Sequence, residues 1–324
     1  MRLVVKIRSK EPSAKAWSNF EYLRSELFRI SKMYSTYVLI GVLFVCTLLS
    51  TFMITNIDYA SVMGMSDEEL ATMNEEGHSI VAVQEATEAG VQSDANIDQV
   101  EVDYETVNIF GHSMYYDCDL TELFQQSVMG QFHILYLSIF TGLFFGAIYR
   151  TGYDKNLLIS NISRLTLMGA RMTVLAIYNA VMLLTVFIST VFSDLICTKE
   201  ITVDMSPKFF LYVLTSFLLS FAFTTVVATI TISTRSTAAG ITSGVIMAFG
   251  IVVYLIILLS KLMIAFLGAP EDFDLADYMI SQTITKLTID ADGMEYTRAI
   301  VCSFVYIAVS LVSTGALVRK RDVT

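Results

Sequence analysis

Residues 172–193 read Met172-Thr-Val-Leu-Ala-Ile-Tyr-Asn-Ala-Val-Met-Leu-Leu-Thr-Val-Phe-Ile-Ser-Thr-Val-Phe-Ser193, without one Asp, Glu, Lys or Arg. An apolar run of this length exceeds the roughly 18 residues that mark a membrane helix, and at about 1.5 Å per residue it crosses a hydrocarbon core of roughly 30 Å. Strand-period alternation is absent, so a helix and not a barrel strand is expected. Comparable spans occur at 35–56, 129–149, 207–233, 238–262 and 298–318. Of the 324 residues 54% are hydrophobic and 16% charged, where a soluble domain has about 25% charged. With a mean hydropathy of +0.61, the chain is read as an all-α polytopic membrane protein. The expected architecture is six transmembrane helices, an N-terminal amphipathic interfacial helix and a small acidic extracellular insert between the first two spans.

Charge sets the expected orientation. Residues 1–34 hold eight Lys or Arg against three acids, the connector 150–171 holds four against one, and the tail 319–324 begins Arg319-Lys-Arg-Asp. Positive residues flank the cytoplasmic side, which places both ends and the connector in the cytoplasm. Residues 57–127, by contrast, carry sixteen Asp or Glu and no Lys or Arg, so the insert 57–128 is read as external. The net charge of −10 and the pI near 4.8 therefore describe that loop and no uniform acidic surface. Its first half, around Asp67, Glu68 and Glu69, reads as helical or disordered. In its second half Val100, Val102, Tyr104 and Thr106 alternate with acids at a strand period. The first apolar run starts only after residue 34, at full membrane length and without a clear cleavage site, which fits an uncleaved anchor better than a signal peptide. Before it, Trp17, Phe20, Leu23, Leu27 and Ile30 recur at helical steps among charged residues, the pattern of an interfacial helix.

Candidate packing or pathway residues lie in two spans. Ser216, Ser220 and Thr224 recur at four-residue steps in the fourth, and Gly240, Gly244 and Ala248 form a small-residue ridge in the fifth; both patterns are common where membrane helices approach closely. Residues 263–297, with Glu271, Asp272, Asp274 and Asp277, are too short of apolar length to span and are expected to cap the bundle outside.

Several chemistries are disfavoured. Ion-coupled carriers need ionisable groups in the bilayer, yet the central parts of all six spans hold none. His133, near the outer end of the second span, is read as a boundary histidine. No G-x-x-x-x-G-K-[ST] phosphate loop occurs, and His78, His112 and His133 form no H-E-x-x-H motif. The scattered Cys46, Cys118, Cys197 and Cys302 make neither a disulfide framework nor a zinc-ligand spacing. A non-catalytic membrane subunit is the expectation, with no metal and no cofactor of its own.

The connector is the most informative segment for function. Tyr153, Leu157, Leu158, Ile162 and Leu165 fall at helical spacing, with Asp154, Lys155, Asn156, Ser160, Asn161, Ser163 and Arg164 between them. The ordered set Tyr149-Arg-Thr-Gly152-Tyr-Asp-Lys155-Asn156-Leu-Leu, then Ser163-Arg164 and Arg171, resembles the cytosolic connector of permease subunits of ABC-2 type exporters. Ser25-Glu-Leu-Phe-Arg29 and the basic ending are similar to that family too. Arg150 stands where the family often has an acid, and Tyr153 where it often has Thr.

The resemblance implies a bacterial plasma-membrane permease that pairs with a second copy or a sister permease and with cytosolic ABC ATPase subunits, which bind ATP and Mg. Nucleic acid is not among the expected partners. The connector would be the coupling helix: Gly152 permits a turn, Tyr153, Leu157 and Leu158 anchor it, and Asp154, Lys155, Asn156, Ser163 and Arg164 fix its register. Cargo would be a peptide or hydrophobic compound, with antimicrobial-peptide resistance one such role. Without the resemblance, Arg150, Lys155, Arg164 and Arg171 equally suit an interfacial loop meeting lipid phosphates. A rival reading is a stand-alone immunity or sensor protein whose acidic ectodomain captures a cationic peptide; an intramembrane enzyme is a weaker third.

Overall fold

A computed structural model describes residues 19–56, 120–151, 164–197, 206–267 and 275–320, and among them no strand occurs. The helices are α1 (Asn19–Ser31), α2 (Tyr34–Asn56), α3 (Leu120–Met129), α4 (Phe132–Thr151), α5 (Arg164–Cys197), α6 (Pro207–Thr234), α7 (Thr237–Ala248), α8 (Ile251–Leu267), α9 (Ile280–Lys286) and α10 (Gly293–Lys320). A 3-10 turn, Leu275–Tyr278, lies between α8 and α9. Helices α2, α4, α5, α6 and α10 are each long and apolar enough to cross a membrane. The described residues are thus those of an all-helical, multi-pass membrane protein, with five such helices among them, or six if α7 and α8 make one bent span.

That bend departs from the single fifth span expected over 238–262. Helices α7 and α8 meet at 63°, and Gly250 at the break takes φ +68, a left-handed conformation that glycine adopts without steric penalty. Hydropathy averages over such a break and does not register it. Two other expectations also shift. Residues 120–128, counted with the acidic insert, form all but the last residue of α3, because Leu120, Leu123, Phe124 and Val128 line one face and bury completely while Glu122 stays exposed. The last residues assigned to the outer cap belong to α10, which begins at Gly293.

Helix α6 is the central element, packed against α4, α5, α7, α9 and α10. Its start is fixed by Ser206, whose hydroxyl accepts from the Phe209 amide at 3.3 Å, with Pro207 in the first turn. Arg235 ends it in the left-handed region (φ 53), and Ser236 at once caps α7 by accepting from the Ala239 amide. The chain reverses there in a short polar corner.

Contacts between helix ends show which termini lie together. Leu165, at the start of α5, approaches Gly315 near the end of α10, and Arg171 reaches Glu26 of α1. At the opposite end Gln131 donates to the Ser281 carbonyl at 3.2 Å, and Gln125 accepts from the Ile289 amide at 2.8 Å. The first group is called the connector end below, since residues 152–163 join α4 to α5 there, and the other the far end. The outer faces of α10 (Phe304, Val305, Val312) and α8 (Tyr254, Leu255, Leu258) are apolar and exposed, as lipid-facing surfaces are.

Candidate functional site

At the connector end one carboxylate is taken wholly out of solvent. Glu26 is fully buried; one of its oxygens lies 2.8 Å from Nη2 of Arg29, and the other accepts from Nε of Arg171 at 3.1 Å. The Arg29 guanidinium lies 4.3 Å from the centre of the Phe144 ring, a cation–π geometry. The cluster fastens α1 to the first turns of α5 and the last turns of α4. Buried charges persist only where such partners compensate their lost hydration. A second tie lies deeper: Thr36, at the start of α2, donates to the Ile30 carbonyl at 3.3 Å, and Tyr178 of α5 donates to the Thr36 carbonyl at 3.3 Å.

This arrangement adjusts the reading of the N-terminal helix. Its buried line is Tyr22, Glu26 and Ile30, while Leu27 and Phe28 remain exposed. The helix is turned so that Glu26 meets Arg171; of the apolar stripe Leu23 packs partly buried against the core and Leu27 is left on the outside. The four-residue spacing of Tyr22, Glu26 and Ile30, together with an arginine at the head of an apolar span, is the signal that would have found the pair in the sequence.

Of the connector residues singled out from the sequence, Gly152, Tyr153, Asp154, Lys155, Asn156, Leu157 and Ser163 lie outside the described residues, and Arg164 is the first residue of α5. The acidic stretch around residues 67–106 also lies outside them. The described flanks are therefore Tyr149 and Arg150 at the end of α4 and the Arg171 cluster on α5.

No protein-family model matches this chain, and no curated protein matches it. Functional inference therefore rests on the arrangement itself.

The packing candidates meet in the body of the bundle. Gly240 and Gly244 of α7 face Thr231 of α6 and Ser138 of α4 so closely that a methyl group on either would overlap those side chains. On α4, Gly142 and Gly146 repeat the same four-residue spacing against α7: a methyl on Gly146 would fall 2.9 Å from the Cα of Thr237. This second pair went unread in the sequence although the G-x-x-x-G spacing was there to find. Ser216, Ser220 and Thr224 are all buried. Ser220 donates to the Ser216 carbonyl at 2.7 Å and Thr224 to the Phe221 carbonyl at 2.9 Å. His133, fully buried, lies 3.0 Å from the Ser220 hydroxyl through Nε2. Because the Ser220 proton is already committed to a carbonyl, the imidazole N–H is the donor. His133 thus links α4 to α6 inside the protein instead of sitting at a wet boundary. Among the described residues no group of His, Cys, Asp and Glu side chains is placed to hold a metal ion.

Proposed function

We propose that this chain is the transmembrane permease subunit of an ATP-driven transporter of the ABC-2 exporter type, working with a separate cytosolic ATPase that binds ATP and Mg. The observation that carries this reading is the rigid root of the connector. Helices α4 and α5 enter it as continuous apolar spans, and the Glu26–Arg29–Arg171 cluster with Phe144 locks both to α1. A displacement imposed on residues 152–163 would pass into three helices together, since packed side chains deform little. The basic connector composition and the lack of ionisable groups in the central spans support an external source of work. In this reading both termini face the cytoplasm of a bacterial cell, the permease pairs with a copy or a sister subunit, and the cargo is a peptide or hydrophobic compound.

The test is purification from the native host with a tag on this chain. A soluble ATPase is expected to co-purify, and its hydrolysis rate is expected to fall after Tyr153→Ala or Arg164→Glu while the complex stays assembled. Retained binding of a cationic peptide with no associated ATPase would instead favour the sensor reading of the acidic insert.

A further inference from the structure

Helix α1 has two unlike faces. At about 100° per residue, its buried line of Tyr22, Glu26 and Ile30 lies about 170° around the axis from an exposed line of Arg24, Leu27, Phe28 and Ser31, which Lys32 continues in the turn that follows. Leu27 and Phe28 thus stand outside, between two cations. Phe28 is 64% exposed, and Nζ of Lys32 lies 5.5 Å from the centre of its ring. The apolar stripe singled out in the sequence does not make this surface, because Leu23 and Ile30 turn to the core.

What the other side of α1 holds sets the level of this face. Glu26 meets Arg171 about 9 Å along α5 from Leu165, where the apolar span of that helix begins. The end of α1 is tied to the first turn of another span, α2: Tyr37 donates to the Ser31 carbonyl at 3.0 Å, beside the Thr36 bond to Ile30. Tyr34 and Tyr37 are exposed there, and tyrosines concentrate where hydrocarbon meets headgroups. Helix α1 therefore lies level with the ends of two spans, and its outward face looks into the layer where acyl chains meet phosphates.

Charge selects the kind of lipid. Residues 19–32 hold Arg24, Arg29 and Lys32 against Glu21 and Glu26; Arg29 is committed to Glu26, so Arg24 and Lys32 stand against Glu21 alone. A zwitterionic leaflet would cover Leu27 and Phe28 and leave that excess charge without a counterion, whereas an anionic leaflet meets both needs. We infer that the outward face of α1 is a docking surface for anionic phospholipid: Leu27 and Phe28 enter the acyl layer and Arg24 and Lys32 hold the phosphates, while Glu26 on the opposite side fastens the helix to α5. The inference requires only the membrane-spanning fold and is independent of any ATPase.

Tryptophan fluorescence tests it, since Trp17 is the only tryptophan of the chain. The full chain carrying Trp17→Phe and Phe28→Trp is placed in phosphocholine nanodiscs that contain either a phosphoglycerol or a phosphocholine lipid with brominated acyl chains. Both lipids are expected to quench, with the phosphoglycerol lipid bound about fivefold more strongly, the effect of about one net positive charge near an anionic surface. Arg24→Gln with Lys32→Gln is expected to bring that ratio to about one while quenching by the phosphocholine lipid persists. Val305→Trp, on the exposed face of α10, is expected to be quenched equally by the two lipids. Should Phe28→Trp not fold, Leu27→Trp gives the same reading. Quenching at Val305→Trp but by neither lipid at Phe28→Trp would show that protein, a second copy or another partner, covers the face, and would overturn the inference. Equal quenching of Phe28→Trp by the two lipids, or a preference that survives the double glutamine variant, would overturn the roles of Arg24 and Lys32.

Discussion

The connector-end junction and the glycine crossing share helix α4, and Phe144 of the first lies between Gly142 and Gly146 of the second, yet opposite means hold them. Around Phe144 the bundle depends on charge: a buried carboxylate and two guanidinium groups that fail together if one is lost. Around Gly142 and Gly146 it depends on the absence of atoms, since the α7 backbone occupies the space a side chain would take. One face of α4 is fixed by electrostatics and the adjoining face by volume. A helix held in both ways resists rotation about its own axis, which suits a strut that carries motion from the connector into the spans.

The largest effect is expected on the charged face. Glu26→Ala leaves Arg29 and Arg171 buried against each other, and breaking such an arrangement costs about 3–5 kcal/mol, readable as a loss of stability in reversible unfolding from mixed detergent micelles. Replacing Glu26, Arg29 and Arg171 together by Leu, Met and Met is expected to recover most of that loss, because a well-packed apolar substitute for a whole buried ion cluster is often neutral. If the triple variant fails to support ATPase coupling while folding normally, the charges serve more than stability.

On the volume-limited face a smaller penalty is expected. Gly146→Ala meets the Thr237 backbone and is expected to cost about 1–3 kcal/mol, with no rescue from Thr237→Ser. Gly244→Ala meets side chains alone, Ser138 most closely and Val227 Cγ2 at 3.3 Å, so Ser138→Gly in the same chain is expected to restore most of the stability in the same unfolding measurement. Failure of that rescue would mean that the crossing is not governed by volume.

Between these regions, His133→Leu leaves the Ser220 hydroxyl without its second partner, and a loss of about 1–3 kcal/mol is expected. The exposed Lys208–Asp290 pair marks the lower limit: Lys208→Ala is expected to change stability by under about 1 kcal/mol in the same unfolding measurement, as exposed ion pairs do.

What the sequence made legible followed averages over many residues. The five long apolar helices and their places along the chain follow from hydropathy, which the bilayer enforces over about 20 residues at a time. Features fixed by one or two residues escaped it. The α7–α8 break turns on the conformation of Gly250 alone, α3 hides within an acidic segment because its apolar face is only ten residues long, and the Glu26–Arg171 pair joins positions 145 residues apart. Gly240 and Gly244 were readable as a ridge, but their partners on α4 and α6 depend on which helices meet. The connector residues from Gly152 to Ser163 keep the role that the resemblance gives them as a proposal, anchored by the described helices on either side.

Hydrolysis of MgATP by the complex purified through this chain, compared between wild type and Arg164→Glu, tests the central claim most directly. A co-purifying ATPase whose rate drops at least about tenfold in the variant, with subunit composition unchanged, is the predicted result. A chain that brings down no ATPase and, alone in liposomes, moves cargo under an ion gradient would contradict it.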